Sequence, residues 1–277
     1  MLPKFEQFIH ERQFITNVTP ATVRWYRLSL SWLTTEQPTD DDIKKVILSI
    51  RSQGRTVTTV NCRLRAIRAY CRWAGLKTVV PKLKEDTREL PTFSEKDVVR
   101  LLSWKPKTSS GHRLSTLISL LADVGARIDE ALSLQWSDVD FDNLLLLLHG
   151  KGGKDRRVPM SLELRKRLFV WKRMQEKSQE KSTRVFGTRD DEKLGHRNVL
   201  RDVKNLCRTL GFEPPARTLH AMRHTFATNY LRHGGSVFHL QRALGHSSLE
   251  MTRRYAHLQT SDLSAVHERL SLLGQAR

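Results

Sequence analysis

Residues 143–160 read NLLLLLHGKGGKDRRVPM, and they decide the fold class. Two short runs, 143–149 and 155–160, flank a turn that holds Gly150, Gly152 and Gly153, which predicts a β-hairpin. The run Leu144–Leu148 is the longest apolar one in the chain. It is strand-sized, far short of the ~18 residues of a membrane helix. Ser161 then caps a helix running to about Lys177, and the rest of the chain reads as helices with short loops. Upstream, Ser94 with Asp97 forms a capping-box-like start from which helices lead into the hairpin. The prediction is a mainly α fold with a small β-sheet over residues 93–277, ending in a helical tail.

Working outward, residues 77–92 (KTVVPKLKEDTRELPT) carry two prolines, dense charge and little periodicity, and predict an interdomain linker. Residues 1–76 predict a small all-α domain. Thr19-Pro20 opens one helix as cap and first-turn proline, and Thr39 with Asp40, Asp41 and Asp42 opens another with acids on its positive end. Over about 56–74, Val57, Val60, Leu64, Ile67 and Cys71 form an apolar stripe, while Asn61, Arg65, Arg68 and Arg72 form a second, basic one. A solvated arginine face is the common explanation of such a stripe. The charge of the whole chain favours a DNA-facing surface.

That charge is +19, from 48 Lys plus Arg against 29 Asp plus Glu. Residues 1–90 hold 16 basic and 9 acidic side chains and residues 91–277 hold 32 and 20, so the excess is spread along the chain. A folded chain that is basic throughout expects an extended polyanion, most simply nucleic acid, more than mere solubility. Three cysteines, Cys62, Cys71 and Cys207, lie far apart with no CxxC pair. This suits a reducing cytoplasm, in prokaryotes the nucleoid, and argues against a disulfide or zinc framework. No leader-like or membrane-spanning segment is legible. No cofactor or metal is expected.

Four stretches carry chemistry-bearing residues: 123–140 with Arg127 and Glu130, 149–160 with Lys151 and Lys154, 219–228 with His220 and Arg223, and 244–258 with His246 and Tyr255. Each has a plainer reading. Tyr255 suits a buried aromatic, although Arg253, Arg254 and His257 make its surroundings unusually polar. Arg127 and Glu130 suit a surface ion pair. His220 and His224 stand four apart as in a zinc helix, but Ala221 occupies the place where HExxH needs its glutamate. GKGGK lacks the upstream glycine and the Lys-Ser/Thr ending of a nucleotide-binding loop. His224 is read as structural, and Tyr230, four after Phe226, as core.

Taken in order, the four stretches resemble the tyrosine recombinases: Xer proteins, Cre and temperate-phage integrases. The likeness covers about 91–260, and residues 1–75 only in their helical, basic character. It departs at GARIDE, where Ala126 and Asp129 stand in place of a larger apolar residue and a serine. The resemblance implies a SAM-like helical core-binding domain and an α+β catalytic domain that close as a C-shaped clamp on duplex DNA. It implies Tyr255 as a nucleophile forming a 3′-phosphotyrosine, with Arg127 and Arg223 as bidentate phosphate clamps. His220 would be a general base or phosphate contact and His246 a donor to a non-bridging oxygen. Lys151 would be the general acid, and Glu130 would orient the basic side chains. Asn61, Arg65, Arg68, Arg72 and Lys154 are the candidate DNA contacts.

The implied function is site-specific recombination through a Holliday junction, for integration or excision of a mobile element. Double-stranded core sites are the expected partner, bound by a homodimer and paired in a homotetramer. Accessory DNA-bending or directionality proteins are candidate further partners. Because the sequence starts almost at the first core-binding helix, it leaves no room for an arm-binding domain, which points to a recombinase reading only core sites. The amphipathic segment with Leu258, Leu263, Val266, Leu270 and Leu273 would dock on a neighbouring protomer or on its own domain. Type IB topoisomerase-like strand relaxation and a non-cutting DNA-binding regulator are the alternatives.

Overall fold

The computed structural model describes residues 1–85, 90–150, 153–178, 182–245 and Tyr255. The chain divides into two compact units, Met1–Arg88 and Glu89–Arg277.

Among the described residues the first unit holds four helices: α1 (Pro3–Phe14), α2 (Pro20–Leu30), α3 (Asp40–Ser52) and α4 (Val57–Trp73). Their starts follow the caps in the sequence. Thr39 and Asp42 form a reciprocal capping box, the Asp42 carboxylate accepting the Thr39 N–H at 2.9 Å and the Thr39 hydroxyl accepting the Asp42 N–H at 3.3 Å. The core is aromatic at its centre. The Tyr70 ring meets Phe5 edge-on at 4.7 Å, and its hydroxyl donates to the Glu36 carbonyl at 2.7 Å. That bond satisfies the phenol in an otherwise apolar interior.

The stretch expected as an interdomain linker is, in its first half, laid along this unit. Thr78 donates to the Pro38 carbonyl, Val79 N–H to the Asp40 carboxylate at 2.9 Å, and Val80 is buried. Its lack of periodicity reflects extended chain whose polar backbone is bound by side chains of α3 and α4.

The second unit contains α5 (Glu95–Ser103), α6 (Ser109–Val124), α7 (Ile128–Ser133), a 3-10 turn (Trp136–Asp138), β1 (Val139–Asp140), β2 (Leu145–Leu148), β3 (Arg156–Pro159), α8 (Leu162–Lys177), α9 (His196–Thr209), α10 (Thr218–Arg232) and α11 (Val237–Leu244). The expected hairpin is β2 and β3. They pair antiparallel with Leu146 opposite Val158, and β1 adds a third strand on the other side of β2. Leu146, Leu148 and Val158 point into the core while their neighbours point out, the alternation a one-face-buried sheet requires. Helix α6 runs through the centre, with Leu117, Ile118, Leu120 and Leu121 all buried. Residues one apart can all be buried only on a helix covered on most sides, here by α5, α8 and α10. The tail after Tyr255, for which a docking helix is expected, lies outside the described residues.

Candidate active site

The site begins where α6 ends. Gly125 closes that helix in the left-handed region (φ 61°), and a side chain there would meet the Phe226 ring at 2.2 Å. The sharp turn places Arg127 as the residue before α7. Glu130, one turn on, reaches back. Its carboxylate accepts the Arg127 backbone N–H and the Arg127 guanidinium, each at 2.8 Å. The pair, whose plainer reading is a surface bridge, is therefore half-interior: Glu130 is buried, while the Arg127 side chain is 41% exposed.

A third group, which the sequence reading did not single out, completes this knot. Arg156 of β3 donates Nη1 and Nη2 to the two Glu130 oxygens, both at 2.9 Å, and Nε to the Ala243 carbonyl at 2.7 Å. Strand alternation is the signal that points to it. Arg156 lies two residues before the buried Val158 and so faces the same way. Burial alone would raise the Glu130 carboxyl; the hydrogen bonds and charges of Arg156 and Arg127 overcome it and hold the group down at about 2. The close of α11 is shaped by the same arginine. Gly245 is left-handed (φ 63°), and a side chain there would come within 3.0 Å of the Arg156 side chain.

Arg223, on α10, is 7% exposed. Its Nη1 donates to the Gly125 carbonyl at 2.8 Å and its Nη2 to the Leu244 carbonyl at 2.6 Å. These are carbonyls at the ends of α6 and α11, where no helical partner remains and a cation is favoured. Desolvation, then the positive charge of Arg127, lowers Arg223 to about 10, still charged at neutral pH. No carboxylate lies in ion-pair range of it among the described residues.

His220 is one turn earlier on α10. The residue is exposed, yet partial desolvation by the surrounding protein, and then the positive charges of His196, Arg217 and Arg223, hold it below its ordinary value. Tyr255 is 3% exposed and packs with Ala227, Leu231, Leu240 and Leu244. Its hydroxyl lies 2.5 Å from Nδ1 of His224. His224, read from sequence as structural, thus touches the residue singled out as nucleophile. Tyr255 also acts electrostatically on Arg223, so tyrosine and arginine share one locale. The structure brings Arg127, Glu130, Arg156, His220, Arg223, His224 and Tyr255 together. Lys151 and His246 lie outside the described residues. Lys154 is exposed on the hairpin.

The basic stripe of α4 divides. Arg65 and Arg72 are exposed, Arg65 standing over the Trp25 ring at 6.0 Å. Asn61, expected on the outward stripe, is buried. It donates to the Leu83 carbonyl and the Glu85 carboxylate and accepts the Leu83 N–H at 2.9 Å. Arg68 donates to the carbonyls of Val80 and Pro81. Both therefore bind the strap of chain that follows α4. Among the described residues no group of three or more His, Cys, Asp or Glu side chains is placed to hold a metal ion, and no helix is long and apolar enough to cross a membrane.

The chain matches the model of the phage integrase family over residues 91–262. It is 30% identical over 261 residues to the tyrosine recombinase XerA of Pyrococcus furiosus, covering 91% of this chain and 88% of the relative. It is 28% identical to the tyrosine recombinase XerC of Xanthomonas campestris pv. campestris, covering 96% and 88%. Among solved structures, the Tn1549 transposon integrase in complex with transposon right end DNA superposes with a TM-score of 0.76 at 21% identity, covering 98% of this chain and all of that one. The XerH site-specific recombinase bound to its palindromic difH substrate gives 0.73 at 19%, covering 97% and 84%.

Proposed function

The chain belongs to the phage integrase family, and on that premise we propose that it is a tyrosine site-specific recombinase that cuts duplex DNA through Tyr255. The single observation that carries this reading is Arg223. A buried guanidinium held by two helix-end carbonyls, with no carboxylate partner among the described residues and with Arg127 acting on it, needs an anion. A phosphodiester supplies one.

In the proposed step, the Tyr255 oxygen attacks phosphorus, and the bond to the 5′-oxygen breaks. Arg127 and Arg223 bind the non-bridging oxygens as charge grows on them. Glu130, clamped by Arg156, fixes Arg127. His220, at the open edge among positive groups, contacts the phosphate. His246 donates to a non-bridging oxygen, and Lys151 protonates the departing 5′-oxygen. The covalent link stores the energy for rejoining.

The partner is double-stranded DNA carrying core sites, gripped on the first unit by the exposed Arg65 and Arg72 and on the hairpin by Lys154. A dimer on one inverted-repeat site and a tetramer pairing two sites would carry exchange through a Holliday junction, in the integration or excision of a mobile element. Nucleoid association follows from that partner. Strand relaxation alone, or DNA binding without cutting, is not favoured, since relatives matching over nearly the whole chain are named recombinases.

The test begins with full-length protein and host genomic DNA in excess EDTA. SDS-resistant adducts should form and, once mapped, define a site that can be rebuilt as a nicked suicide duplex. Tyr255→Phe keeps ring volume and should bind that duplex without forming adducts. Adducts from the Phe variant, or none from wild type without Mg²⁺, overturn the reading.

A further inference from the structure

The nucleophile's proton has to go somewhere. A phenol ionises near ~10, so at neutral pH Tyr255 attacks as an oxyanion only if a neighbour takes its proton as the new bond forms. His220 is the histidine that the motif order offers for this work. The geometry offers another. The ring nitrogen beside the Tyr255 hydroxyl is Nδ1 of His224, at 2.5 Å, with the two rings tilted by 47°. His224 directly follows Arg223 on α10 and therefore points to a different side of the helix from its neighbour. Tyr255 meets it from the small apolar cluster of Ala227, Leu231, Leu240 and Leu244, which excludes water from around the phenol. Arg223, the residue before His224, interacts electrostatically with Tyr255, and its positive charge favours an anionic tyrosine oxygen.

Resting on the assignment of Tyr255 as nucleophile, we propose that His224 is the proton acceptor for Tyr255 in cleavage and its proton donor in rejoining. In cleavage the Tyr255 O–H bond breaks and its proton passes to Nδ1. The freed electron pair forms the O–P bond. The P–O5′ bond breaks, and its pair leaves on the 5′-oxygen, which takes a separate proton from Lys151. In rejoining the 5′-hydroxyl attacks phosphorus, Lys151 recovers its proton, and Nδ1–H returns the first proton to the departing tyrosine oxygen. Protons and charge balance in each direction, and His220 is left to the phosphate.

The role demands a neutral imidazole with its hydrogen on Nε2 and a bare Nδ1. Nitrogen-15 NMR of the full chain with labelled histidine reads this directly in the resting protein. One Nδ1 signal should be of the unprotonated type and should move in Tyr255→Phe. A protonated Nδ1 at His224 would overturn the proposal without any change in the fold.

Kinetics on the rebuilt suicide duplex supply the second test. His224→Gln can still accept a hydrogen bond but cannot keep a proton at neutral pH, so single-turnover cleavage should fall by about 10²-fold with DNA affinity unchanged. Tyr255→difluorotyrosine, introduced by site-specific incorporation, ionises more easily than tyrosine and needs less help. It should raise cleavage by His224→Gln at least about tenfold more than it raises cleavage by the enzyme that retains His224. A merely structural histidine would show no such selective rescue. If His224→Gln cleaves at the normal rate while Tyr255→Phe is inert, this inference alone fails. If Tyr255→Phe still forms adducts, the nucleophile assignment beneath it fails.

Discussion

Glu130 and Arg156 form a two-bonded pair inside the second unit, each carboxylate oxygen accepting one guanidinium N–H at 2.9 Å. The pair ties the strand that leaves the Lys151 hairpin to the turn that presents Arg127. Through the Ala243 carbonyl it also ties both to the end of α11, just before His246. The segments around Glu130, Arg156 and Ala243 thus meet at one guanidinium.

Removing one partner leaves the other buried without its charge. Arg156→Gln should cost the second unit about 3 kcal/mol, roughly 6–12 °C in its melting temperature. Arg127→Gln should cost less, because that side chain is 41% exposed. Calorimetry on the two variants checks the order. Equal losses would mean that Arg156 does not anchor Glu130.

The same carboxylate predicts an acid limb. Its folded value is about 2 against an ordinary 4.5, so the folded state binds its proton more weakly than the unfolded chain does. The stabilising contribution is complete above about pH 4.5 and is lost as pH falls toward about 2, amounting to on the order of 3 kcal/mol. Urea unfolding at a series of pH values should show wild type and Glu130→Gln converging as the medium is acidified. A constant gap from pH 6 to pH 3 would rule this out.

On the first unit, the divided stripe of α4 predicts two kinds of defect. Arg65→Ala and Arg72→Ala should each weaken DNA binding and lower the slope of log K against log salt by about 1, with stability unchanged. Asn61→Ala should instead destabilise the unit by about 1–3 kcal/mol, because it takes their side-chain partner from both the Leu83 amide and the Leu83 carbonyl. Titrations at several salt concentrations, with melting curves alongside, separate the two. A salt-slope change in Asn61→Ala at full stability would contradict the burial argument.

The role proposed for Lys151 can be isolated by changing the leaving atom. An alkoxide is very basic and departs slowly without a proton, whereas a thiolate, with a pKa near ~8.5, leaves readily. Sulfur in place of the bridging 5′-oxygen should rescue Lys151→Ala, and should do far less for Arg127→Ala, whose missing charge is needed whichever atom leaves. Lys154→Ala should cut the ordinary substrate with at most weaker binding. Rescue of Lys154→Ala instead would move the general acid three residues along the hairpin.

Local chemistry explains what the sequence by itself determined. Caps at Thr39, Ser94 and Ser161, the apolar period of α4 and the glycine-bounded hairpin specify elements, because each depends on neighbours within a few residues. The order of the four motifs likewise identified the family. What only the tertiary structure decided are the contacts that join distant segments. Asn61 and Arg65, four apart on α4, share a face by period, yet one is buried because residues 78–85 fold back over it. The importance of Arg156 depends on a carboxylate 26 residues away, and that of His224 on a hydroxyl 31 residues away. Helical period and strand alternation say which way a side chain points; only the packed chain says what it meets there.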